Sequence, residues 1–223
     1  MSLIEKITYF VLLAVIVVGI YLDYNNQEFL TNAYAKEDGI LENTTALMLF
    51  AGGILMFYRF LKLGRKKNGW FKLTTLGIAL AFLFGAGEEI SWGQRIFSVE
   101  SSTFFLENNV QSETNFHNLE VGGVKLNKLI FGQILTAFIL IYLIVFPILY
   151  KRWNTFKLLI NKFAIPLPQV HHAVAYLTCL ALLLLMSSGK KWEIQELALS
   201  LIFFFILWKP RNNIYEIKRE INS

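Results

Sequence analysis

Residues 7–22 read ITYFVLLAVIVVGIYL, a run without one charged side chain. Taken back to Leu3, the run supplies the roughly 20 mostly apolar residues that a helix needs to cross a hydrocarbon core of about 30 Å. It begins as a signal peptide would. Its apolar region is long, however, and no small-x-small cleavage site follows, so it reads as an uncleaved first span over 3–22. Further runs of the same kind lie at about 39–63, 70–92, 126–150, 167–188 and 192–208. The fifth follows Pro166 and Pro168, which suit a helix start, and the sixth is stopped by Pro210.

The whole chain agrees with this reading. Of 223 residues, 55% are hydrophobic and 17% charged, with a mean hydropathy of +0.49. Soluble domains carry about 45–50% apolar and roughly 25% charged residues, so a soluble globular fold, disorder and a collagen-like chain are excluded. The expected fold is all-α: a single transmembrane domain over 1–223, built as a bundle of about six helices. The one cysteine, Cys179, allows no intrachain disulfide and reads as a small buried hydrophobe. Lys and Arg do not cluster with exposed aromatics, so nucleic acid is not an expected partner.

Charge orients the bundle. Residues 59–72 carry Arg59, Lys62, Arg65, Lys66, Lys67 and Lys72 with no acid, and 151–162 carry Lys151, Arg152, Lys157 and Lys162 with none. The tail sets Lys209, Arg211, Lys218 and Arg219 against Glu216 and Glu220. The positive-inside rule places these connections, and both termini, in the cytoplasm. Trp70, Trp92, Trp192 and Trp208 fall near span ends, as interfacial tryptophans do. Outward segments then sum to −7 and cytoplasmic ones to +12, which together give the net +5. Anionic lipid explains the cytoplasmic excess; the acidic outer face calls for a function.

Polar residues concentrate on that face. The second span opens EDGILENTT, with Asp38, Glu42 and Thr45 on one helical face and Glu37 or Asp38 placed to cap it. The third ends GAGEEISWGQR. Adjacent glutamates point about 100° apart on a helix, so Glu88 and Glu89 each need a partner. As a continuous helix, Glu88 shares a face with Ser91, Trp92 and Arg95, which allows a Glu88–Arg95 ion pair. Glu89 shares one with Gly85 and Gly93, where a neighbouring helix can approach closely. The long outer connection, 93–125, holds the run ENNVQSETNFHNLE, dense in amides and carboxylates, beside the apolar Phe97, Phe104, Phe105, Leu106 and Val110. Those apolar residues suit packing on the membrane surface or re-entry. The uncharged part of the sixth run, 197–208, is too short to cross, so Glu193 and Glu196 enter the boundary, with Lys190 or Lys191 to neutralise them. Ionisable groups in a span are costly and are functional hypotheses by default.

These residues compose a site. Glu88, Glu89 and His117 are the expected catalytic groups, and Glu42, Glu89, His117 and Glu196 the expected metal ligands. Mixed carboxylate and imidazole donors suit Zn, Mn or Fe. Such a metal activates water, with a remaining glutamate as general base. Trp92, Gln94, Arg95 and Asn115 are assigned to substrate contact. The substrate would be a lipid headgroup or lipid-linked envelope precursor entering from the bilayer, and the reaction a hydrolysis or transfer. No HExxH, DDxxD, GxSxG or CxxC motif is present. One alternative is a non-enzymatic subunit or scaffold, with protein partners or a homo-oligomer. A small transporter fits less well, because 134–149 and 174–186 are almost wholly apolar. His171 and His172, beside Pro168 and Gln169, read as interfacial residues on the cytoplasmic side, away from His117.

The run GEEISWGQRIF, followed by FLENNVQSETNFHNL and preceded by the EDG…E segment at 36–42, resembles an uncharacterised group of bacterial polytopic membrane proteins. The resemblance covers about 36–119 and implies a multi-pass protein of the bacterial inner membrane, acidic loops facing the periplasm or exterior, with no named activity. The layout is also distantly similar to the alkaline ceramidase and progestin/adipoQ receptor membrane hydrolases, which hold a zinc ion by histidines. Adjacent His171 and His172 depart from their paired-histidine spacing, and six spans depart from seven. No catalytic residue is carried over from that superfamily.

Overall fold

The computed structural model describes residues 1–116, 118–121, 124–125 and 134–215. Its main helices are α1 (Leu3–Asn25), α2 (Ile40–Leu63), α3 (Gly69–Glu89), α4 (Leu135–Arg152), α5 (Asn154–Lys162), α6 (Val170–Leu183) and α7 (Lys191–Trp208). A two-residue antiparallel ladder, Glu120–Val121 with Val124–Lys125, is the paired-strand element among the described residues. Four helices, α1 to α4, are long and apolar enough to cross a membrane. The other two expected spans are helical but fall short in different ways. Helix α6 has 14 residues, about 21 Å at 1.5 Å per residue. Helix α7 has 18 residues but places Lys191, Glu193 and Glu196 in its first two turns.

Contacts at the helix ends fix the directions. Glu5 at the start of α1 meets His171 at the start of α6, and Asp23 near the end of α1 meets Ser187 just beyond α6. The two helices therefore run the same way. Helix α7 returns: Lys190 at its head pairs with Glu37 before α2, and Arg59 near the foot of α2 donates to the carbonyls of Leu207 and Trp208. Helices α2 and α7 are thus parallel to each other and opposed to α1 and α6. The bundle has two poles, one with the Glu37–Glu42 segment and one with Arg59.

Helix α7 is the hub of the core. One cluster joins Leu12 and Ile16 of α1, Cys179 and Leu183 of α6, and Ile194, Leu197 and Ala198 of α7. A second joins Ile139 and Leu143 of α4, Tyr176 of α6, and Ile202 and Ile206 of α7. A third packs Met56 of α2 and Ala79 of α3 on Leu207. Cys179 is buried, as a small apolar residue should be. Within α4 the backbone widens to a π turn at Ile141–Val145, directly before Pro147. Pro147 has no N–H to donate, and a widened turn relieves the clash of its ring.

Arg59 satisfies carbonyls that a helix end leaves orphaned, and its charge suits the negative end of the α7 dipole. Its guanidinium also lies 4.0 Å from the Tyr215 ring centroid. Asn212 adds a second tie at this pole, donating to the Ile165 carbonyl at 2.8 Å and accepting from the Leu167 N–H at 3.2 Å.

Helices α2 and α3 meet through Gly52 and Gly53. A Cβ on Gly53 would sit 2.7 Å from the Leu83 side chain and 3.2 Å from the Ala79 carbonyl oxygen, which is backbone and does not yield. Gly53→Ala is expected to destabilise the bundle by about 1–3 kcal/mol through overpacking. Gly77→Ala, where nothing lies within 4 Å, is expected to be neutral or mildly stabilising, since alanine is the better helix former. Unfolding of both variants by SDS titration in mixed micelles compares them directly.

Candidate functional site

The Glu37–Glu42 pole is acidic, and three helices build it. Glu42 lies in the first turn of α2, Glu88 and Glu89 end α3, and Glu193 and Glu196 lie in the first two turns of α7. Each of Glu42, Glu89, Glu193 and Glu196 lies in the electrostatic field of others in the set, and Glu37 reaches all four. The sequence anticipates Glu42, Glu89 and Glu196 here, and the structure brings them together. It adds Glu37 and Glu193 to the group. Like charges gathered this closely favour a bound cation or a shared proton. Lys190 supplies positive charge at the edge, paired with Glu37 and 3.7 Å from Glu193. Lys191 instead donates to the Met186 carbonyl at 3.1 Å.

Helix α3 ends at Glu89 and does not run on to Arg95. Ser91, Trp92 and Gly93 all adopt left-handed backbone, with φ of 47°, 55° and 73°. That conformation is natural for glycine and uncommon elsewhere. The turn overrides the shared faces expected from a continuous helix: Gly93 does not lie under Glu89, and Arg95 does not pair with Glu88. Arg95 pairs with Glu113 and Asp38. Glu88 is 4% exposed and accepts from the Trp92 indole N–H at 2.8 Å and the Phe116 backbone N–H at 2.6 Å.

The substrate-contact residues of the sequence reading act as pins of the long loop that follows α3. Asn115, 1% exposed, donates to Ser91 Oγ at 2.8 Å and accepts from Asn109 at 2.9 Å. Gln94 donates to Ser101 Oγ at 2.7 Å and accepts from the Thr114 N–H at 2.8 Å. Trp92 is exposed on its ring and tied to Glu88 through its N–H. Capping of α2 also differs from expectation. Its N-cap is Gly39, and the Glu42 carboxylate reaches back to accept from the Asp38 N–H, while Glu37 and Asp38 turn to Lys190 and Arg95.

Among the described residues, Glu89 Oε2 and Thr45 Oγ1 at the acidic end are buried without a hydrogen-bond partner, as are Gln111 Oε1 and Asn118 Nδ2 of the loop. His117, expected as catalytic group and metal ligand, lies outside the described residues. Among the described residues, the acidic pole brings no three ligand atoms within 4.8 Å of one another.

Such a trio occurs at the opposite pole, where the sequence reading places only interfacial histidines. Glu5, His171 and His172 bring their ligand atoms within 4.8 Å. Glu5 Oε1 is 3.1 Å from His171 Nε2 and 3.5 Å from His172 Nε2. Glu5 and His172 are buried, at 3% and 0% exposure. The carboxylate is set by a capping box in which Ser2 N–H donates to Glu5 Oε2 and Glu5 N–H to Ser2 Oγ. His172 is set through Nδ1, which accepts from the Gln169 N–H at 3.1 Å, and its Nε2 has no hydrogen-bond partner. Nothing local in the sequence signals this cluster, because Glu5 and His171 are 166 residues apart.

In comparisons with family models, curated proteins and solved structures, none matches this chain.

Proposed function

We propose that the chain crosses a bacterial inner membrane six times with both termini in the cytoplasm, and that its outward acidic pole is an acid–base site acting on a lipid-type substrate. The observation that carries this reading is Glu89 Oε2, a buried carboxyl oxygen that has no hydrogen-bond partner among the described residues and lies in the field of Glu37, Glu42, Glu193 and Glu196. Its neighbour Glu88 holds the loop through two hydrogen bonds, so the adjacent glutamates divide the work: one positions, the other reacts. As general base, Glu89 takes a proton from water or a substrate hydroxyl, whose oxygen bonds to the acyl or phosphoryl centre of the headgroup or precursor. The original ester or phosphoester bond breaks, and the leaving oxygen takes the proton back from Glu89. The surrounding carboxylates hold the compensating positive charge, as protons or as a divalent ion such as Zn or Mn.

The surface near the site suits an amphipathic substrate. Ile96, Phe97, Val99, Phe104, Leu106 and Val110 of the outer loop are exposed, a patch that favours contact with lipid. A groove of about 400 Å³ at the head of α2 sets Asp38, Asn43 and Thr44 beside Ile40 and Leu47, polar against apolar.

The test is conversion of a bacterial envelope lipid extract by the detergent-purified protein, followed by mass spectrometry. Wild type is expected to form a new lipid or headgroup species, and Glu89→Gln to slow it by about 100-fold or more, the range of a lost general base. Absence of any converted species with wild type, or wild-type conversion by Glu89→Gln, overturns the reading. A scaffold role is the second reading, favoured by the dense pairing of Ser91, Arg95, Asn109, Glu113 and Asn115. It predicts a protein partner that co-purifies with the chain and is lost from a Glu113→Ala variant.

A further inference from the structure

We infer that Glu5, His171 and His172 form a binding site for a zinc-class divalent metal ion, which joins the start of α1 to the start of α6. The inference is independent of the reading of the acidic pole. Two imidazoles and one carboxylate are a ligand set that zinc takes, with a fourth position left for water. In a tetrahedral site with bonds of 2.0–2.2 Å, ligand atoms stand roughly 3.3–3.6 Å apart. Glu5 Oε1 lies 3.1 Å from one imidazole nitrogen and 3.5 Å from the other, so an ion needs little movement of these side chains.

The orphaned nitrogen points the same way. His172 Nε2 is fully buried, and at 3.5 Å from Glu5 it makes no hydrogen bond. A buried polar atom without a partner is costly, and a metal ion between Nε2 and the carboxylate would satisfy it. The His171 side chain is 22% exposed, which gives the ion and its water a way in. The ligands are held before binding: Glu5 by Ser2, and His172 by its burial in the first turn of α6.

One feature of the arrangement must change on binding. His172 Nδ1 accepts from the Gln169 N–H, which puts the proton of a neutral ring on Nε2, where the metal would sit. Metal binding moves that proton to Nδ1, or releases it, as metal binding to histidine releases protons in general. In the first case the Gln169 N–H turns to water, which the half-buried Gln169 permits. The loss of one neutral hydrogen bond is small beside the gain from a metal–imidazole bond.

The test uses the full-length protein in detergent, loaded with zinc chloride and desalted, with metal counted by elemental analysis. His171→Ala and Glu5→Gln are each expected to lower the zinc content by one equivalent per chain relative to wild type, whereas Glu28→Gln, an exposed carboxylate outside both poles' clusters, leaves it unchanged. Size-exclusion profiles confirm that each variant is folded. So that the test does not rest on the variants alone, wild type is also loaded with Co²⁺, where the visible bands of a four-coordinate nitrogen and oxygen site are expected and added Zn²⁺ bleaches them. Zinc content unchanged by both His171→Ala and Glu5→Gln, or wild type that holds neither Zn²⁺ nor Co²⁺, overturns the proposal.

Discussion

Asp23→Ala is expected to lower the stability of the bundle by about 3 kcal/mol or more, since a buried donor stranded by loss of its partner costs about 1–3 kcal/mol. Asp23 is 3% exposed and accepts three hydrogen bonds: from the Ser187 N–H at 2.7 Å, the Ser187 hydroxyl at 3.1 Å and the Ser188 N–H at 3.1 Å. Two of these donors are backbone groups in the turn between α6 and α7, and alanine leaves both unpaired. The same turn receives Tyr24, whose hydroxyl donates to the Leu185 carbonyl at 2.9 Å, so a displaced turn loses that contact as well. Asp23→Asn keeps one acceptor oxygen and is expected to recover part of the loss. Equilibrium unfolding by SDS in mixed micelles measures all three proteins, and an alanine variant within 1 kcal/mol of wild type would sink the assignment.

Glu88→Ala is expected to release the long loop from the end of α3, at about 3 kcal/mol or more. Hydrogen bonds to a charged group contribute roughly 1.5–3 kcal/mol each, and Glu88 accepts one from the Trp92 indole and one from the Phe116 backbone. The loss has a local signature. Without its anchor the Trp92 ring leaves Gly87, where a Cβ would meet that ring at 2.8 Å, and the segment around Phe116 becomes open to exchange. Hydrogen–deuterium exchange should rise over 109–116 while the core of α7 stays protected. Glu88→Gln presents an amide N–H to one of the two donors and is expected to fall between alanine and wild type. Unchanged exchange in the alanine variant would rule out the anchoring role.

The helices were legible because their cause is local. The apolar runs ending at Leu63 and Trp208 end as helices at the same residues in α2 and α7, and the run from Leu3 starts α1. Charge placement pointed to Glu42, Glu89 and Glu196 together, since each sits one or two turns from the end of an apolar run. Two kinds of fact were not legible. The left-handed turn at Ser91–Gly93 occurs in residues of which only Gly93 favours it, so a helical wheel carried past Glu89 gives the wrong neighbours for Arg95. The pairings of Glu5 with His171 and of Asp23 with Ser187 depend on how the helices pack, and no periodicity spans 166 or 164 residues.

That distance has a consequence in time. Both polar ends of α1 are met by residues flanking α6, and Ser187 follows Asp23 by 164 positions. At roughly 5–20 residues per second of synthesis, α1 waits on the order of 10–30 s after it is made before these partners leave the ribosome. Throughout that interval Glu5 and Asp23 are without the contacts that later hold them. A helix made well before the helices it pairs with is therefore among the last to be locked.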